Sequence, residues 1–416
     1  MRNVLLPLLF LQAVAAFGQP VISAEVSSDL LRRQSTLLSF NTPAVAMAKD
    51  QRGVVIAWVM SGVEGYDRIS VARLDATGHI AGSVHEIPVV APYPVAATAP
   101  SIAAATTGQG FTIVWMELPV SGIQSPIAVY RRLDADLNPS ASTVVPVFNN
   151  VAKSPAIVRS GKTMWITAGS QVWQVLADGT LSGPFDAGFA GSDMTVATDF
   201  PQIVSAQRVV TTTCGATLAQ TEGASQSNVS PTLRPCPPVN HFSYRLQFLS
   251  LYTLSASTAF PFDSSTAAAV GNDGHDVLIA WFQGAESSGG TVMAARVNTS
   301  TFNFPKAVQE PLVLGSFPGD FGQTRPDIAS DGERFVVVWR TLSPERTYDI
   351  VGASIDRNGH VIPFSMATTT SDEKDPSVIA IGPGKFLVAY EKIESVIDRR
   401  IAGRFVTFDE RSHAVR

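Results

Sequence analysis

One pattern recurs along the chain. A proline opens an apolar stretch, a turn carrying Gly or Asp follows, and a β-rich run then ends on a large aromatic. The sharpest copy is RPDIASDGERFVVVWR at 325–340, and related copies surround Trp58, Trp115, Trp165, Trp281 and Tyr390. From Pro43 to Trp58 and from Pro100 to Trp115 the interval is fifteen residues. It is ten from Pro155 to Trp165, thirteen from Pro326 to Trp339 and fourteen from Pro376 to Tyr390. Only the turn between the first two strands of each unit changes length.

The repeat constrains the fold more than any other feature. Short strands recurring with a period of about 50 to 58 residues are the mark of a ring of stacked sheets. The expected fold class is all-β, a single β-propeller of seven four-stranded blades. The units run 38–90, 91–148, 149–195, 196–264, 265–315, 316–368 and 369–416. The third and fourth are degenerate, with Thr211 where the third has Trp165, so six or eight blades are the alternatives. In the sixth unit the strands are expected at 327–330, 335–340, 350–356 and 361–366. Along 335–340 both strand faces are apolar, as a sheet sandwiched between two neighbours requires. The segment 19–37 precedes the first unit, and a strand near 21–26 would close the ring against the last blade and remove its free edges.

The first residues read as an export signal spanning 1–18. Arg2 gives a positive start, 4–17 is an apolar run, and Ala16 and Gly18 place small residues before Gln19. The run is short for a membrane span, so no span is expected after cleavage, and an uncleaved anchor is the alternative. No Cys lies near the cleavage region, which argues against lipid anchoring. The expected location is secreted or periplasmic. The formal net charge is −5 and no basic stripe exists, which argues against nucleic acid as a partner. The two cysteines, Cys214 and Cys236, flank a Gly/Ser/Thr/Pro-rich insertion at 215–240. In an exported chain a pair of this kind is expected to form a disulfide stapling that insertion.

The copies around Trp339, Tyr390 and Trp58 are followed by Tyr348-Asp349-Ile350, Asp398-Arg399-Arg400-Ile401 and Tyr66-Asp67-Arg68-Ile69. In this the chain resembles bacterial exported proteins built of propeller repeats, a largely uncharacterised group. The resemblance covers most of 38–416 and is weakest from about 170 to 260. It implies export and a propeller, and no reaction. The nearest stretch to the Asp-box of sialidases, Ser330-Asp331-Gly332-Glu333-Arg334-Phe335, lacks its spacing.

The recurring tryptophans read as core packing. The recurring Asp67, Asp349 and Asp398 read as backbone acceptors in loops. Polar residues just beyond the second strands differ between units: Glu117, Gln283, Arg340 and Glu391. With the fourth-to-first connections they would form one rim, holding Glu117, Arg325, Arg340, Glu345, Asp372, Glu373, Asp375 and Glu391. That rim is the candidate ligand surface. Residues 371–375 are acidic enough to touch calcium but lack the alternating ligand pattern of a dedicated loop, and Lys374 interrupts them. No catalytic, cofactor or metal motif is present: there is no His-Glu-X-X-His, no Gly-X-Ser-X-Gly and no nucleotide loop. The expected function is that of a non-enzymatic propeller binding a protein or glycan, or serving structurally in the envelope. The alternative is a glycoside hydrolase or lyase drawing carboxylates from separate blades.

Overall fold

The computed structural model describes residues 19–33, 45–61, 67–91, 95–97, 100–105, 109–119, 125–141, 143–145, 155–160, 163–168, 171–185, 194–197, 202–213, 239–250, 256–262, 268–285, 289–298, 306–307, 310–317, 326–345, 347–395 and 399–408. These residues are all-β. They contain no helix long and apolar enough to cross a membrane.

The described strands assemble into seven antiparallel sheets. The first blade is Val45–Asp50, Gly53–Ser61, Asp67–Leu74 and His85–Ile87. The second has an inner strand in two pieces, Val95–Ala97 and Ser101–Ala104, followed by Phe111–Pro119, Ile127–Leu133 and Thr143–Val145. The third is Ala156–Ser160, Thr163–Ala168, Gln171–Val175 and Leu181–Phe185, and the fourth is Met194–Ala197, Gln202–Thr213, Val239–Ser250 and Ala256–Phe262. The fifth runs Ala269–Asn272, Asp276–Ala285, Gly289–Asn298, with Lys306–Ala307 and Leu312–Phe317 outermost. The sixth is Asp327–Ser330, Arg334–Leu342, Tyr348–Asp356 and Val361–Ala367.

The seventh blade takes only three strands from the end of the chain: Asp372–Gly382, Lys385–Ile393 and Arg399–Thr407. Its outer strand comes from the N-terminal segment. Val21–Ile22 and Val26–Arg33 both pair antiparallel with Arg399–Thr407. The innermost strands touch in a closed cycle from the first blade through the seventh and back to the first. That ring makes the molecule a β-propeller. The insertion 215–240, the cysteines and the segment 1–18 lie outside the described residues.

The recurring aromatics hold the ring together in one direction. Trp58 packs with Leu387, Ala389 and Ile401 of the seventh blade. Trp115 packs with Val55 and Val59 of the first, Trp339 with Phe282 and Leu314 of the fifth, and Tyr390 with Val336 and Val338 of the sixth. Each therefore buries itself against the preceding blade. Strand alternation then turns Val55, Ala57 and Val59 toward the following blade, into the same cluster as Trp115. Two apolar faces on one strand are required by two apolar neighbours.

A second repeated device clasps the blades at the end opposite the candidate rim. The turn between third and fourth strands opens on an aspartate that caps its own loop. Asp75 accepts from the amides of Thr77 and His79 at 2.8 and 3.0 Å. Asp134 accepts from Asp136 and Asn138 at 2.9 Å each, and Asp356 from Asn358 and His360 at 2.8 Å each. This is Asx-turn chemistry. Two residues before this turn position an arginine reaches the next blade's turn. Arg73 donates to the Ala135 carbonyl at 3.3 Å, Arg132 to Ala177 at 3.2 Å and Arg296 to Arg357 at 2.7 Å. Matching spacing in sequence thus becomes a chain of blade-to-blade staples.

Candidate functional site

The second strands continue past their aromatics. They run Phe111–Pro119, Arg334–Leu342 and Lys385–Ile393, so residues expected in loops are still paired in a sheet. This changes the meaning of the candidate rim. Glu117 is fully buried. Its Oε1 accepts from the Val90 amide at 2.8 Å and from the Trp115 indole N–H at 3.0 Å, and its Oε2 accepts from the Ala91 amide at 2.8 Å. It ties the crossing from the first blade to the second, and it holds an indole that would otherwise be an orphan donor. Glu391 is also buried, with Arg399 at 3.8 Å. Arg340 is buried with its guanidinium 4.3 Å above the Tyr348 ring.

Other expected rim residues are divided between surface and seam. Glu345 is exposed, as is Gln283 at the end of the fifth blade's second strand. Asp375 takes a left-handed backbone, φ 50°, at an irregularity of pairing that precedes Pro376. Asp372 accepts from the Tyr348 amide at 3.1 Å and pairs with Lys374 at 3.5 Å. Glu373 is sealed from solvent. Arg325 lies outside the described residues.

A group of charges straddles the sixth and seventh blades. Glu25, from the N-terminal segment, accepts from the Tyr390 hydroxyl at 2.8 Å and from Lys392 Nζ at 2.8 Å, with Arg404 at 3.7 Å. Burial opposes the charge on Glu25, but Lys392 and Tyr390 outweigh it and hold the carboxyl below its ordinary range. Burial pushes the Tyr390 phenol up, and the adjacent Glu25 charge adds to that. Glu373 is raised by burial and by the Asp349 charge, against the opposing hydroxyl of Thr369, which donates to it. Asp349 is raised by burial and by Glu345. Among the described residues no three His, Cys, Asp or Glu side chains come together as a metal site.

Sequence reasoning passed over Glu25 because its segment belongs to no repeat. Asp349 was visible as a recurring aspartate, yet nothing local marked it as a buried acid. A separate cleft of about 630 Å³ opens between the second and third blades on the face of the staples, lined by Tyr130, Arg132, Asp134, Asn138 and Asp178 among others. Its arginine and aspartates already serve the turns. Chemically, a group as enclosed as Glu373 cannot meet a substrate, whereas Glu345 and Gln283 can meet a ligand.

No family model matches the chain, and no curated protein matches it. Solved structures do. A protein of unknown function from Dyadobacter fermentans is 12% identical with a TM-score of 0.48, over 92% of this chain and 99% of that one. Trypanosoma rangeli sialidase is 9% identical with a TM-score of 0.48, over 93% of this chain and 60% of that one. The β-propeller domain of the trilobed protease from Pyrococcus furiosus is 10% identical with a TM-score of 0.47, over 92% and 97%. Likenesses this remote carry no functional argument, and the fold stands on the ring of sheets itself.

Proposed function

We propose that this chain is an exported, non-catalytic recognition propeller that binds a protein or glycan partner on the face built by its second-to-third and fourth-to-first connections. The supporting observation is a contrast within the repeat. The aromatic seam recurs from blade to blade, while the exposed polar residues beyond it differ between blades, Gln283 on the fifth and Glu345 on the sixth. A constant frame with variable ends suits recognition. A glycoside hydrolase would need free carboxylates from separate blades, and Glu117 is the rim carboxylate of the second blade. Glu117 spends both oxygens on the backbone and an indole, which favours the binding reading.

Export through residues 1–18 and a Cys214–Cys236 bridge belong to the same proposal. Thr213 stands opposite Val239 at the end of one strand pair, so both cysteines follow or precede the same hairpin end closely in sequence. N-terminal sequencing of exported protein should begin at Gln19, and non-reducing mass spectrometry should find one bridge. Two free thiols would remove the staple.

The first test is a glycan-array screen of the purified mature chain, with product analysis on the same glycans. Binding without turnover, weakened by Gln283→Ala or Glu345→Ala, supports the reading. Turnover overturns it. A blank on both counts removes the glycan half and leaves protein partners to be sought by crosslinking.

A further inference from the structure

Among the described acids, only Asp349 and Glu373 keep a buried carboxylate oxygen with no hydrogen-bond partner, Oδ1 of Asp349 and Oε2 of Glu373. Glu373 is 0% exposed and Asp349 is 9% exposed. They come from different blades. Asp349 is the second residue of the third strand of the sixth blade and Glu373 the second residue of the inner strand of the seventh. The residues just before them are bonded to each other, since the Tyr348 amide donates to Asp372 at 3.1 Å. The two acids therefore flank one seam.

Charge around this seam is unbalanced. Glu345 adds negative potential at Asp349, and Asp349 and Glu25 add it at Glu373. The cation that opposes this at Glu373, Lys392, is already bonded to Glu25 at 2.8 Å. Lys374 pairs with Asp372 and, like Arg340, sits on the Tyr348 ring, at 4.7 and 4.3 Å. Ionising both acids would leave buried charge opposed at Glu373 only in part, by the Thr369 hydroxyl and by Lys392, whereas a proton removes the charge and adds an O–H donor.

We propose that Asp349 and Glu373 form a proton-operated contact between the sixth and seventh blades: neutral, they let segment 369–375 pack on the sixth blade, and ionised, they loosen it. The sign follows from linkage. Acids that favour their neutral form in the fold stabilise it fully below the ordinary carboxyl range. That contribution is lost as pH rises through their raised values. Segment 369–375 borders the face assigned to ligand. A pH-dependent ligand affinity therefore rests on the binding reading, but the contact itself does not.

Two measurements test the contact without any ligand. Carboxyl-carbon NMR titration of the full chain should show Asp349 and Glu373 changing charge above the ordinary values of 3.8 and 4.5. Amide hydrogen exchange, corrected for intrinsic chemistry, should accelerate in the first half of Asp372–Gly382 between about pH 4 and about pH 8, roughly tenfold for each unit by which folded exceeds opened pKa. Glu373→Gln and Asp349→Asn should flatten that response, while strand Arg334–Leu342 shows none in any form. Ordinary titration of both carboxyls overturns the proposal, and so does an unchanged exchange profile in both variants. Should a variant fail to fold, the wild-type titration decides.

Discussion

The Tyr390 hydroxyl donates to the Glu25 carboxylate at 2.8 Å, joining residues 365 positions apart in sequence. Tyr390 is the core aromatic of the last blade, and Glu25 lies in the segment before the first. The same carboxylate takes Lys392 at 2.8 Å. A repeat-built ring must join its ends somewhere, and here a glutamate from outside the repeat reinforces the strand pairing at the joint.

Removing that carboxylate should open the closure. Glu25→Ala leaves Lys392, whose side chain is only 14% exposed, without its partner. The expected cost is about 2 kcal/mol in thermal unfolding, and a Glu25→Ala/Lys392→Ala double variant should lose less than the sum of its singles. An additive cycle would show that the pair does not couple.

The closure and the proton-operated seam should respond to pH in opposite directions. Glu25 is held below 4.5, so its contribution is complete above that value and lost as pH falls through the lowered one. Asp349 and Glu373 are raised, so theirs is lost as pH rises. The melting temperature of Glu25→Gln should be nearest wild type in acid, and that of Glu373→Gln should be lower than wild type, or equal to it, only there. A single parallel offset for either variant across the range would contradict this.

Glu117→Ala should destabilise by about 3 kcal/mol, because two amides and an indole lose their acceptor in a buried place. Denaturant unfolding with Trp115 emission as the probe reads both the loss and the altered indole environment. A surface glutamate at this position would have cost under about 0.5 kcal/mol.

Arg296 lies between Asp273 and Asp276, each at 3.6 Å, and donates to the Arg357 carbonyl of the next blade at 2.7 Å. Arg296→Leu removes the cation from both acids, so it should cost about 3 kcal/mol near neutral pH and less in acid, where Asp276, raised by burial and by the Asp273 charge, takes up a proton. Unfolding midpoints in urea at two pH values check the difference.

Gly315 on the outer strand of the fifth blade lies under Trp339 of the sixth. A Cβ there would stand 2.9 Å from the indole ring. Gly315→Ala should cost about 1–3 kcal/mol through overpacking, and Trp339→Phe in the same chain should restore part of it. Failure of the smaller ring to relieve the loss would place the strain elsewhere.

The propeller was legible because its signals are local. Alternation along 335–340, the turn after each inner strand and the returning aromatic are all set by a few neighbouring residues, and repetition amplifies them. The strand limits were read short. The pairing that carries Phe111–Pro119 past Trp115 comes from Val95–Ala97 and Ile127–Leu133 beside it. That extension put Glu117 inside the molecule, though its type and spacing suited a rim.

By itself the sequence determined the period, the β class and the aromatic seam, since these follow from which residues recur and on which strand face. Tertiary structure alone decided the state of each charge. Whether a carboxylate is ionised, neutral or spent on amides depends on what other blades bring within a few ångströms. Glu25, Asp349 and Glu373 acquire their character from residues far along the chain, because solvation and Coulomb energy depend on distance in space, not on position in sequence.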